Sequence, residues 1–189
     1  MKKYLLLLLI FIPKEIKSQH LYLSKSASVK LFSEAPLENI SATNQAANAI
    51  IDFNKQEIAV KIPINRFVFP SKLMQTHFNE NYMESHLFPY ATFKGFFNKK
   101  VDINKAGNLS ISVNGTMTIH GVSNMEIIEG RMTIDPQNKT VSVITNFSIK
   151  LSDYKIDVPS VVIYKISERI EISTNFTLTP MPNALSINQ

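Results

Sequence analysis

The sequence predicts an all-β protein, a single antiparallel β-barrel of about eight strands with one short helix. Three observations carry that expectation. Apolar residues recur at every second position over most of the chain, the pattern of strands with one wet and one dry face. Helical periodicity beyond the N-terminal segment is confined to one window. The 189 residues include no cysteine, so the fold depends on a core alone; closing the sheet into a barrel removes strand edges that no disulfide protects, and a sandwich is the other architecture these strands allow.

Residues 1–19 read as an export signal. Lys2 and Lys3 precede an unbroken apolar run from Tyr4 to Ile12, Pro13 ends it, and Ser18-Gln19 is the cleavage neighbourhood. The run is well short of the ~20 residues that span a hydrocarbon core, so it exports the chain and does not anchor it. The expected location is periplasmic or secreted, and without cysteine there is no lipoprotein attachment. Residues 20–189 form one domain, with no linker, composition shift or repeat to divide them.

The strands follow in order. Ala27, Val29 and Leu31 alternate with Ser28, Lys30 and Phe32. The small, polar stretch 42–49 reads as a loop or short turn. From Glu57 to Ile64 the residues Ile58, Val60, Ile62 and Ile64 share one face. Residues 71–84, bounded by Pro70 and Pro89, are the helical window: Ser71 can cap it, and Met74, Phe78 and Tyr82 fall on one stripe. Leu109, Ile111, Val113, Met117 and Ile119 then share a parity, and Met117 to Gly130 reads as a hairpin turning at Gly121. Val141 to Leu151 and Ile170 to Leu178 are the last two alternating runs, separated by a turn-rich excursion over 151–160.

Charge excludes several partners. The formal net charge is +5, but residues 1–19 hold four lysines and one glutamate, which leaves 16 basic and 14 acidic residues in the mature chain, a net of +2. Those basic residues are dispersed, with Lys99-Lys100 their only adjacent pair, so there is no footprint for nucleic acid. No further segment suggests a membrane span. A homodimer is compatible with the sequence, which carries no signal for or against it.

Candidate reactive groups are sparse. His20, His77, His86 and His120 form no ligand spacing, and no metal or other cofactor is expected. No serine stands in Gly-x-Ser-x-Gly, there is no thiol, and five glycines make no phosphate loop. Asp52, Glu57, Glu84, Asp102, Glu126, Glu129 and Asp135 read as acids at strand ends or on wet faces. The expectation is a protein that is not an enzyme. Apolar side chains are the abundant resource, with twelve Phe, six Tyr and seven Met, and seven of the Phe lie between residues 67 and 97. Such a group either fills a solid core or lines a cavity.

Two phrases bear on that choice: His77-Phe78 followed by Glu84-Ser85-His86-Leu87-Phe88-Pro89-Tyr90-Ala91-Thr92-Phe93, and the hairpin Gly115-Thr-Met-Thr-Ile-His-Gly-Val122. With Val60-Lys-Ile-Pro-Ile64 before them, their order and spacing over residues 21–179 resemble the YceI-like family. Met74-Gln75-Thr76 stands where family members often carry Arg-Asp, and Leu151 to Pro159 replaces a usual Arg- and Gly-rich phrase, so the chain looks like a divergent branch. The resemblance implies a lipocalin-like barrel around a long apolar ligand, an isoprenoid- or acyl-chain lipid. It also implies a helix-holding role for His77, through hydrogen bonds to nearby backbone. The residues expected to line the interior are Phe67, Phe69, Met74, Phe78, Phe93, Phe96, Met117, Ile119, Phe147 and Phe176. Two rivals remain: a solid-core interaction module acting through loops 42–49 and 151–160, and an esterase or metal-dependent hydrolase.

Overall fold

A computed structural model describes residues 20–34, 39–157 and 167–182; the export segment expected at 1–19 and residues 158–160 of the expected excursion lie outside these. Nine strands run in the order β1 (Leu21–Ser33), β2 (Ile40–Asn44), β3 (Asn48–Asp52), β4 (Glu57–Pro63), β5 (Tyr90–Phe97), β6 (Gly107–Ile119), β7 (Val122–Asp135), β8 (Thr140–Lys150) and β9 (Arg169–Pro180). All pairings are antiparallel, and β9 returns to pair with β1, which closes the barrel.

Nine strands occupy eight positions because β2 and β3 are one strand interrupted. Both lie against the same edge of β1 and keep one register, with Val29 opposite Asn44 and Leu23 opposite Ile50. The loop expected over 42–49 is therefore mostly strand. Its small residues are what the site requires: Ala42, Asn44, Ala47 and Ala49 are all buried. At the break, Asn44 stands in for the missing ladder. Its Oδ1 accepts from the Ala46 amide at 2.8 Å and its Nδ2 donates to the Pro63 carbonyl at 2.7 Å.

The hairpin at Gly121 forms over thirteen residue pairs, from Gly107 opposite Ile134 to Ile119 opposite Val122. Its two-residue turn places His120 at φ 50° and Gly121 at φ 72°, both left-handed as the favoured hairpin turn demands. The helical window becomes a short helix, α1 (Lys72–His77), running into a π-helical turn, Phe78–Tyr82. Ser71 Oγ accepts from the Met74 amide at 3.4 Å, and the wide turn is closed by the Met83 amide donating to Phe78 O at 2.9 Å. Before α1, the chain is stitched to the free edge of β2 by reciprocal Thr43–Val68 backbone bonds.

The interior divides at mid-height. At one end the inward faces are packed solid: Met132 and Leu178 are fully buried, Phe97, Val113, Val143 and Phe176 nearly so, and Tyr22 meets Phe53 edge-on at 5.2 Å between ring centroids. At the other end α1 and its π turn lie across the opening.

Candidate functional site

Beneath α1 the barrel encloses a cavity of about 540 Å3. Its walls come from every strand except β3 and β7, with Leu31, Ile62, Ala91, Met117, Phe147 and Ile172 among them, and α1 and its π turn roof it with Met74, Phe78, Tyr82 and, just beyond, Met83. Phe78 is set by two neighbouring rings, Phe67 at 5.6 Å and Phe69 at 4.9 Å between centroids. Leu73 and His77 border the cavity and are also exposed, so the cavity reaches the surface on that side of the helix. Polar groups on the wall are few: Ser33, Ser71, His77 and Thr92. Ser33 is buried, and its Oγ accepts from the Ser167 amide at 2.9 Å.

Eight of the ten residues expected to line the interior border this cavity: Phe67, Phe69, Met74, Phe78, Phe93, Met117, Ile119 and Phe147. Two do not. Phe96 is 55% exposed, because Phe93, Gly95 and Phe97 take the inward positions of β5 and Phe96, alternating with them, points to solvent. Phe176 faces inward but lies in the solid half, opposite Val143 and Ala27. The cavity is also lined by aliphatic residues not among the ten, such as Leu31, Ile62, Ile64 and Ile172, whose strand parity is the signal that marks them. His77 makes no backbone hydrogen bond through its side chain in the described structure, and the helix-holding role expected for it falls to another histidine.

That histidine is His120. Its Nε2 donates to Glu84 Oε2 at 2.9 Å, and Phe88 packs against the imidazole at 4.5 Å between centroids. The contact ties the end of the π turn to the β6–β7 hairpin. It also explains Gly121, where a Cβ would come within 2.7 Å of the Phe88 ring.

A second polar contact completes the wall. β7 and β8 pair only from Gly130–Asp135 to Thr140–Thr145, so Val122 to Glu129 have no partner on the β8 side. The chain after β8 folds into a 3-10 turn, Leu151–Tyr154, that covers this seam. Tyr154 is fully buried, and its hydroxyl donates to Glu126 Oε1 at 2.9 Å, while Asn124 Nδ2 donates to Asp153 O at 2.8 Å. Burial first, and then the Glu126 carboxylate, hold the Tyr154 hydroxyl far above the usual tyrosine range. Glu126, expected on a wet face, thus stands on the inward side of β7 under the strap, and Leu151 and Ile156 of that strap border the cavity.

Among the described residues no group of three or more His, Asp or Glu could hold a metal ion, and no helix is long and apolar enough to cross a membrane. On the outer face Phe96 and Ile127 flank Asn114, with Met125 two residues away and 75% exposed.

The fold has several solved relatives at low identity. A polyisoprenoid-binding domain from Saccharophagus degradans superposes with a TM-score of 0.72 at 13% identity, covering 85% of this chain and 98% of its own. BcnA of Burkholderia cenocepacia gives 0.67 at 14%, covering 80% and 95%. The YCEI protein of Campylobacter jejuni gives 0.61 at 16%, covering 79% and 90%. No curated protein matches by sequence. The profile of the YceI-like domain matches residues 22–178, essentially the whole barrel, and the chain therefore belongs to the YceI-like domain family.

Proposed function

We propose that the protein is an exported carrier that holds one long apolar molecule, an isoprenoid- or acyl-chain lipid, in the hollow half of its barrel. The observation that carries this reading is the 540 Å3 cavity with almost wholly aliphatic and aromatic walls. Such a space suits a chain that offers only dispersion and area. Burying a few hundred Å2 of it at ~25 cal/mol per Å2 supplies several kcal/mol before ordering costs. A relative of the same fold is described as polyisoprenoid-binding, which supports the isoprenoid choice. Export rests on Lys2-Lys3 and the apolar run after them.

The rivals fare less well. A solid-core module has no use for the cavity, although the exposed Phe96 and Ile127 are the kind of surface it needs. A hydrolase needs a histidine, a carboxylate and a nucleophile together. His120 and Glu84 meet, but Phe88 covers the imidazole and no hydroxyl bonds it.

Native mass spectrometry of protein purified from its own host, followed by solvent extraction, tests the proposal. The expected result is a mass matching the chain without residues 1–19, within a few residues, carrying one lipid that the extract releases. A protein that arrives empty and takes up no long-chain alcohol or fatty acid would end the carrier reading.

A further inference from the structure

Phe93 is the deepest residue of β5 that borders the cavity, as Val29 is of β1. On β5 and β6, Phe93 lies opposite Met117, and the next inward pair toward the solid half is Gly95 opposite Gly115. Two glycines facing each other leave the wall bare at that level. The Phe93 ring covers it: a Cβ at Gly115 would come within 2.8 Å of Phe93 Cζ, so the ring leans from the cavity down over the glycine. One step further, Phe97 opposite Val113 begins the solid packing, with both residues buried. On β8 and β9, Thr145 and Thr174 bond each other at 2.8 Å and are buried. Their hydroxyls are satisfied without a ligand. Neither the glycine pair nor the threonine pair borders the cavity, whereas Phe93, Phe147 and Ile172 just above them do.

We infer that this protein selects its ligand by chain length and that Phe93 is the stop on the β5–β6 side that sets the limit. The inference rests on the carrier reading above and goes further by naming the residue that fixes how deep a chain reaches. A chain longer than the cavity enters only by leaving its remainder in water, which earns no burial. Phe93 is the adjustable part of this wall, because its ring is the side chain that lies over Gly115, while Val113 Cγ1 reaches over Gly95 from the solid side. A benzyl group occupies about the space of one isoprene unit, so removing it extends the pocket by that much.

The test is a series of prenols, geraniol, farnesol, geranylgeraniol, geranylfarnesol and octaprenol, competed against a fluorescent fatty acid on the purified protein. In the unaltered chain, affinity should climb from geraniol by about tenfold or more and then level off within the series, changing by less than about threefold beyond the length that fills the cavity. In Phe93→Ala the rise should continue about one isoprene unit further before it levels off. Phe96→Ala, on the outer face of the same strand, should leave the plateau where it was. If Phe93→Ala does not fold, Phe93→Leu carries the comparison, and the series on the unaltered chain stands by itself. Affinity that keeps rising to octaprenol in the unaltered chain overturns the length limit. A plateau that ignores Phe93 in a folded variant overturns the role of that residue. Binding of the fatty acid but of no prenol overturns this inference alone, whereas failure of both the fatty acid and every prenol to bind removes the carrier reading, and this inference with it.

Discussion

On β9, Phe176 and Leu178 are 3% and 0% exposed, whereas Ile170 and Ile172, on the same face of the same strand, border an open cavity. The same contrast holds on β8 between Val143, at 2%, and Phe147. Strand alternation decides which side chains enter the barrel, but not whether they meet anything there. In the solid half, bulky residues converge from all sides and the loop after β5 adds Val101, whose amide is held by Gln56 Oε1 at 2.8 Å. In the hollow half the last layer comes from α1, and a helix laid across a barrel end cannot fill it to the depth that inward side chains can. Space for a ligand arises from that mismatch of shapes and not from any polar feature.

Substitution on paired positions is the strongest way to break the contrast. Phe176→Ala should cost ~3–5 kcal/mol, because the surrounding side chains are close-packed and cannot collapse into the gap. Phe147→Ala, on the neighbouring strand, removes a side chain that already borders empty space and should cost about half of that or less. Urea denaturation of both variants measures the difference. Equal losses would mean that the two halves are packed alike.

Much of the division between face and solvent was legible in the sequence, and little of the depth. The parity of Ile58 to Ile64, of Ile111 to Ile119 and of Val141 to Leu151 placed the strands, and the stripe Met74-Phe78-Tyr82 placed the helix face. Phe96-Phe97 was ambiguous because two adjacent aromatic residues offer both parities, and only the strand register with Asn114 and Val113 decides between them. Phe176 was assigned to the right face and the wrong height, since periodicity carries no information on distance along the barrel axis. The strand at 42–49 was hidden by its own fitness: residues small enough to sit against β1 read as a turn. The strap at 151–156 was hidden because its partner, Glu126, lies 28 residues from Tyr154, and an acid on an alternating strand reads as a wet-face residue.

That strap separates the two seams of β7, and changing it sharpens a second comparison. The β6–β7 seam is held by a ladder of thirteen pairs, the β7–β8 seam by six pairs and side chains. Tyr154→Phe removes the bond to Glu126 and should cost ~1–2 kcal/mol, since a hydrogen bond to a charged acceptor is lost and the carboxylate must find water. The pH dependence has a definite sign. The folded state holds Tyr154 above its ordinary value of 10.0, so above that pH the unfolded chain releases its proton first. The stability that the neutral hydroxyl supports is present below pH 10 and falls as pH rises beyond it. Burial raises Tyr22 and Tyr82 in the same direction, so alkaline loss should be shallower in Tyr154→Phe but not abolished. Denaturation midpoints between neutral pH and pH 11 report this, and identical alkaline slopes in the two proteins would contradict it.

The smallest expected effect concerns the roof. α1 is only six residues long and buries no residue fully, so it cannot stand by its own propensity. What holds its far end is the contact from Glu84 to His120, and the two groups are unequal: the imidazole side chain is 12% exposed and the carboxylate 41%. With Nε2 donating to Glu84, the buried Nδ1 has no partner in the described structure, so the ring relies on one polar contact and on Phe88. Glu84→Gln keeps a carbonyl oxygen for Nε2 and removes the charge, and a half-exposed pair of this kind contributes only ~0.5–1 kcal/mol, less as salt is added. Global stability should therefore barely change. The sensitive readout is local: amide hydrogen exchange over Phe78 to Met83 should quicken by several-fold while the strands of the solid half keep their protection. On the carrier reading, release of a bound chain should quicken with it, because the cavity reaches the surface beside the same helix. If exchange quickens equally in β6 and β9, the contact supports the whole barrel and the roof is not a separately held part.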